Sequence, residues 1–127
     1  MKKEIKPNIM KNLFYFISTI LLLTACVDPV QEQIDLKSKE VESLGIQMEE
    51  TTQKIHYIID QKAEAETFVY RLELAGASKN SKDYKNAVAE VERLSSMYDS
   101  LNIEADKIAV AVDKGIAQID SLMSLQK

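Results

Sequence analysis

The sequence predicts an all-α fold, an antiparallel two-helix coiled-coil hairpin that follows a cleaved N-terminal signal peptide. Apolar residues recur every seven positions in two separate runs, and helix-breaking residues cluster between those runs. Residues 1–25 have the layout of a targeting segment rather than of a folded element. The length of the chain, 127 residues, is enough for one domain at most.

Residues 1–25 are predicted to form the signal peptide. A basic stretch with four lysines and one acidic residue precedes an apolar run from Leu13 to Leu23. This run is too short for a bilayer core, which needs about 20 helical residues. It matches the apolar segment of a signal peptide, which is typically about 7–15 residues long.

The apolar run ends in Leu23-Thr24-Ala25-Cys26. These four residues resemble the lipobox of bacterial lipoprotein precursors, in which an aliphatic residue, a small residue and Gly, Ala or Ser precede a cysteine. The resemblance implies that a dedicated signal peptidase recognises Leu23, Thr24 and Ala25 and cleaves before Cys26. It also implies a diacylglycerol on the Cys26 thiol, with palmitate as an expected acyl chain, and acylation of the new amine.

Cys26 is the only cysteine, so an internal disulfide and a cysteine-based metal site are excluded. The alternative, an ordinary secretory signal, leaves an odd thiol in an exported protein unexplained. Two or more acyl chains hold a protein firmly on a membrane, at about 0.8 kcal/mol per buried CH₂. We expect this covalent lipid on Cys26 and no other cofactor.

The leader holds four of the 16 basic and one of the 20 acidic residues, so residues 26–127 have a net charge near −7. This charge argues against nucleic acid as a partner. The single histidine, His56, is predicted to be a surface residue rather than a metal ligand. The carboxylates fall mostly on outward helix positions, as a solvated face requires. We therefore expect no catalytic residue, no metal site and no small-molecule substrate.

Residues 26–30 are predicted to be the lipidated N-terminus and helix cap, and residues 31–127 the hairpin. Asp28 can cap the first helix, Pro29 suits its first position, and Gln31 stands where a capping box has Glu or Gln. The first helix is predicted over about 29–75, and nine of its twelve seam positions (a and d of each heptad) are apolar. The seam positions are Ile34, Lys37, Val41, Leu44, Met48, Thr51, Ile55, Ile58, Lys62, Ala65, Val69 and Leu72.

Residues 76–83 are predicted to form the turn. Gly76 fits a left-handed C-cap, and Ser81 or Asp83 fits the N-cap of a second helix over about 84–125. Eleven of its twelve seam positions carry an apolar or Tyr side chain, with Gly115 as the exception. They are Tyr84, Ala87, Val91, Leu94, Tyr98, Leu101, Ala105, Ile108, Val112, Gly115, Ile119 and Leu122.

The two seams align if Leu72 lies opposite Tyr84. That register places Val41 opposite Gly115, where the glycine either lets the backbones approach or loosens the coil. It also places Lys62, at an a position, opposite Leu94. Lys62 either fixes the register or extends its amine to water and Glu66.

Two expectations concern the flanks of the seam. Lys54 and Glu104 fall on facing flanks and are expected to attract. Five apolar residues at e positions widen one side of the hairpin, namely Ile59, Val88, Ala109, Ile116 and Met123. We expect a further helix on that side, from a second copy or from a partner protein, and the alternative is that these residues merely flank the seam of a monomer.

The last residue, Lys127, suggests one further family. With its lipobox and heptads, the chain is similar in kind to the murein lipoprotein of Gram-negative outer membranes, in which a C-terminal lysine is joined to peptidoglycan. The resemblance implies an attachment point at Lys127. The present chain is longer and is predicted to fold back, which returns Lys127 close to Cys26.

Three functions remain open from the sequence. The first is a lipid-anchored, non-enzymatic periplasmic hairpin that binds another envelope protein or forms a homo-oligomer. The second is an envelope spacer or peptidoglycan tether, and the third is a small inhibitor or immunity-type lipoprotein that acts through its turn. In enterobacterial lipoproteins, Asp directly after the lipidated cysteine favours retention in the inner membrane. Residue 27 is Val, so in a Gram-negative host the resemblance to lipoproteins implies the periplasmic face of the outer membrane.

Overall fold

The computed structural model describes residues 28–127, and the predicted signal peptide with Leu23, Thr24, Ala25 and Cys26 lies outside the described residues. Helix α1 (Pro29–Leu74) and helix α2 (Lys82–Ser124) pack against each other along the rod. Residues 75–81 connect them. The predicted all-α hairpin is confirmed, and α2 begins two residues earlier than the heptad pattern indicated.

The start of α1 depends on Asp28 and Pro29. Asp28 Oδ1 accepts a 2.9 Å hydrogen bond from the Val30 N–H, and Pro29 occupies the first turn, where its missing N–H costs nothing. The capping box expected at Gln31 is not formed. The Gln31 side chain instead donates to Asp35 Oδ1 at 2.9 Å and accepts a hydrogen bond from Gln126.

The turn begins with a Schellman motif at the end of α1. Gly76 has a φ of 76°, the left-handed conformation that glycine adopts without steric cost. The Ala77 N–H reaches the Leu72 carbonyl at 2.9 Å, and the Gly76 N–H reaches the Glu73 carbonyl at 3.0 Å. Ser81, not Asp83, then caps α2, because its Oγ accepts a hydrogen bond from the backbone N–H of Tyr84.

Contacts at both ends and in the middle of the rod fix the register. At the turn end, Tyr84 on α2 bonds to Glu73 on α1. At the open end, Gln126 Nε2 donates to Gln31 Oε1 at 2.9 Å. In between, a Cβ built on Gly115 would lie 2.5 Å from Val41 Cγ2. The predicted pairing of Val41 with Gly115 is therefore correct, and the glycine permits a close approach of the two helices.

The core is the predicted seam. All twelve seam positions of each helix are buried or half-buried. Within residues 28–127 the buried residues all stand at seam positions, namely Ile34, Thr51, Ile58, Ala87, Leu94, Ile108 and Gly115. Burial contributes about 1.5–3 kcal/mol for each large aliphatic side chain, so a seam this narrow depends on a small number of residues.

The ion pairs of residues 28–127 all lie within single helices. Lys62 Nζ stands 3.6 Å from Glu66 Oε1, which agrees with the interpretation that its stem packs while its amine reaches out. The attraction expected between Lys54 and Glu104 does not produce an ion pair. An exposed pair across two helices gains little in water, so the long side chains stay solvated.

Candidate functional site

The open end of the rod brings the two ends of the described chain together. Gln126 Nε2 lies 3.3 Å from Asp28 Oδ2 in addition to its bond to Gln31. The exposed Lys127 follows directly, so it lies at the same end as Asp28. Cys26 precedes Asp28 by two residues along the chain and is not among the described residues. The turn lies at the opposite end, about 65–70 Å away at about 1.5 Å per helical residue.

An open groove of about 640 Å³, here called the mid-rod groove, lies between the helices near the middle of the rod. It is lined by Tyr57, Ile58, Met97 and Leu101, together with the polar side chains of Lys54, Arg93, Ser96 and Ser100. These residues occupy c, d, f and g positions, so the groove opens on the g side of the seam. The seam pattern did not predict this groove. An apolar or aromatic residue at c of one helix, Tyr57, together with one at g of the other, Met97, is the sequence signal that could have indicated it.

Arg93 is held at the edge of the mid-rod groove. Its Nε and Nη2 atoms donate to Glu90 at 2.8 and 2.6 Å, and Nη1 reaches Met97 Sδ at 3.1 Å. The hydrogen bonds from Arg93 hold the pKa of Glu90 below its usual value. Because the Arg93 charge is already paired within α2, Lys54 supplies the other charge at this groove, and the remaining lining is apolar or hydroxyl-bearing.

The e side of the seam carries the apolar residues that the heptad pattern singled out. Ile59, Ile116 and Met123 are 45%, 46% and 48% exposed, Ala109 is exposed, and Val88 is half-buried. The hairpin therefore leaves this side largely uncovered, as expected from the sequence. We call this set of five residues the apolar flank.

Charge is distributed unevenly between the two sides. On the e side, the b positions of the half nearest the open end are all acidic, and we call them the acidic rows. They are Asp35, Glu42 and Glu49 on α1 and Asp106, Asp113 and Asp120 on α2. All six are exposed, and none forms an ion pair with a residue of the described range 28–127. The g side of the same half mixes acidic residues with Lys107 and Lys114.

Titratable side chains at the turn end form one hydrogen-bonded pair. The Tyr84 hydroxyl donates to Glu73 Oε1 at 2.8 Å. This hydrogen bond, with smaller contributions from burial and from the charge of Glu73, raises the pKa of Tyr84. The pair ties the first turn of α2 to the last turns of α1, which gives it a structural role at the turn.

His56 is exposed on α1, as predicted. Within residues 28–127, no three His, Cys, Asp or Glu side chains are grouped in a way that would hold a metal ion. Neither helix of this part of the chain has a stretch that is both long enough and apolar enough to cross a bilayer. Comparisons with protein-family models, with curated proteins and with solved structures give no match to this chain.

Proposed function

We propose that this protein is a lipid-anchored, non-enzymatic helical hairpin of the bacterial cell envelope, attached through Cys26 and acting by binding another envelope protein or a copy of itself. The lipobox-like residues Leu23 to Cys26 support the anchor. In a Gram-negative host, Val27 favours the periplasmic face of the outer membrane.

The observation that carries the proposal is the position of the open end. Helix α1 begins at Pro29, only three residues after Cys26, and Gln126 bonds back to Asp28. A lipid on Cys26 would therefore hold the rod at its open end with almost no spacer. The rod would then extend about 65–70 Å from the bilayer and present its flanks and its turn to other proteins.

The surface of the rod supports an interaction role over catalysis. Apolar side chains are exposed on both sides of the seam, on the apolar flank and around the mid-rod groove. Large exposed apolar patches are typical of surfaces that bind other proteins. The shifted titratable groups Tyr84 and Glu90 are each engaged in a local hydrogen bond and lie at separate places on the rod.

The anchor is tested by metabolic labelling with radioactive palmitate in cells that express the full chain. We expect the native protein to be labelled and to sediment with membranes. Cys26→Ser should lose the label and yield an uncleaved or soluble product. Ala25→Ser is the matched control, because serine is allowed at that position of the lipobox. An unlabelled native protein, or Cys26→Ser with unchanged membrane partition, contradicts the anchor.

The tether alternative is tested at Lys127. Since Gln126 bonds to Asp28, the C-terminus lies at the end that the lipid would hold, away from the distal turn. We therefore expect purified peptidoglycan sacculi to carry no covalently bound C-terminal peptide of this protein. Recovery of such a peptide from the native chain, but not from Lys127→Ala, would establish the tether instead.

A further inference from the structure

The e side of the open-end half has a regular arrangement. Since Val41 lies opposite Gly115, residues whose numbers add up to about 156 are level on the two helices. The acidic rows therefore form three level pairs, Asp35 with Asp120, Glu42 with Asp113, and Glu49 with Asp106. Successive pairs are about 10.5 Å apart, because they are seven helical residues apart.

The strip between the acidic rows carries apolar side chains from α2 and small side chains from α1. Helix α2 contributes Ala109, Ile116 and Met123 there, and α1 contributes small residues at its e positions, Ser38, Gly45 and Thr52. Gly45 has open space where its side chain would be, with no atom within 4 Å. No Lys or Arg occupies an e or b position in this half of either helix. A third helix can lie along this strip with an acidic row on each edge.

We propose that this strip binds an amphipathic helix of a different protein, whose apolar stripe is edged on both sides by Lys or Arg. The inference rests on the interaction role proposed above and names the chemistry of the partner. Apolar contact with Ile116 and Met123 supplies burial, and basic residues on both edges match the two acidic rows in sign. Heptad spacing on the partner matches the spacing of the three pairs.

A second copy of this chain fits the strip less well. The exposed apolar residues on the outer face of α2, Ile103 and Val110, are edged by lysines on one side only, Lys107 and Lys114. Their other edge carries the acidic row of α2. A second copy docked through this face would place its lysines against one acidic row of the strip. It would place its own acidic row against the other, and this repulsion between like charges opposes association.

The test uses the full chain extracted in non-ionic detergent and a fluorescent synthetic peptide of three heptads, with leucine at seam positions and arginine on both edges. We expect binding that weakens with added salt. The triple variant Asp106→Asn, Asp113→Asn, Asp120→Asn should lower the affinity by roughly tenfold, from three exposed charge pairs. The matched triple variant Glu50→Gln, Glu64→Gln, Glu104→Gln on the g side should bind as the native chain does.

Apolar contact is tested separately with two exposed apolar residues. Met123→Ser, on the strip, should weaken peptide binding several-fold, whereas Leu36→Ser, at a c position of α1 and 62% exposed, should leave it unchanged. A peptide with glutamate in place of arginine should not bind. Equal loss from both triple variants, or from both serine variants, overturns the assignment of this strip.

The natural occupant is identified in cells by placing p-benzoylphenylalanine at Ile116 or, as the control, at Leu36 and sequencing the cross-linked peptides. We expect position 116 to capture a helical segment of another protein with more basic than acidic residues. Capture of a second copy, of a segment without basic excess, or of nothing overturns the inference. Palmitate labelling is independent of all these outcomes, so failure of the lipid anchor and failure of the docking strip can be told apart.

Discussion

Gly115 offers the sharpest test of the packing, because the same substitution has opposite expected effects at two glycines of this rod. Alanine in place of an exposed mid-helix glycine favours the helix by about 1 kcal/mol. Gly45 is such a residue, since a methyl group added there would have no atom within 4 Å. Gly45→Ala should therefore raise the free energy of unfolding by about 1 kcal/mol.

At Gly115 the new methyl carbon would lie 2.5 Å from Val41 Cγ2. Carbon atoms pack at about 3.5–4.0 Å, so about 1 Å must come from helix separation or from rotation of Val41. A valine in a helix strongly prefers one χ1 rotamer, and overpacking of this kind costs about 1–3 kcal/mol. After the gain in helix propensity, Gly115→Ala should lower the free energy of unfolding by about 0–2 kcal/mol.

The measurement is urea unfolding followed by the helical circular dichroism signal, with the double variant Val41→Ala, Gly115→Ala completing the cycle. In the Val41→Ala background the clash is absent, so Gly115→Ala should stabilise by about 1 kcal/mol, as Gly45→Ala does. The coupling energy should be about 1–3 kcal/mol. If Gly115→Ala stabilises the native background as much as Gly45→Ala, the close approach of the helices is refuted.

Three other substitutions, the first with a matched control, test the core, the turn and the tyrosine pair. Leu94→Ala, at a side chain 3% exposed, should cost about 2–5 kcal/mol of unfolding free energy, whereas Ile46→Ala, 54% exposed, should change it by less than about 0.5 kcal/mol. Gly76→Ala should cost about 1–2 kcal/mol because of the positive φ, measured by the same unfolding assay. The pKa of Tyr84 is raised in the folded state, so the contribution of Tyr84 to the free energy of unfolding is present below pH about 10 and is lost as the pH rises through the folded pKa. Tyr84→Phe should therefore flatten the loss of stability at alkaline pH, measured by the same unfolding assay. An unchanged pH profile would contradict the hydrogen bond to Glu73.

The fold was predictable from the sequence because its main determinants are local and periodic. A seven-residue repeat places the seam on one face of each helix, and the breakers around Gly76 allow only a short connection. The choice between Ser81 and Asp83 as the N-cap was not predictable, since both side chains carry an acceptor at a suitable position. The structure selects Ser81 because its Oγ meets the Tyr84 N–H, which starts α2 at Lys82.

The candidate surfaces were predictable only in part. The heptad position of Ile116 identifies it as a flank residue without knowledge of the partner helix. The mid-rod groove, by contrast, depends on which residue of α2 is level with Tyr57, and this follows from the register of both helices together. The Lys54 and Glu104 pair was not predictable either. Facing positions alone do not decide whether two long exposed side chains form an ion pair, because such a pair gains little in water.

The unequal widths of the two apolar faces connect the fold with the proposed partner. Helix α1 has the narrow a/d stripe of a two-stranded seam and carries Glu66 and Glu73 at e positions, with Ile59 as the one large apolar exception. Helix α2 extends its stripe to e, the pattern of a helix in a larger bundle. Ile116 and Met123 remain about half exposed, so the hairpin leaves a large part of their apolar surface in contact with water. Their apolar surface is therefore available to a third helix, and the acidic rows beside it favour one that carries positive charge.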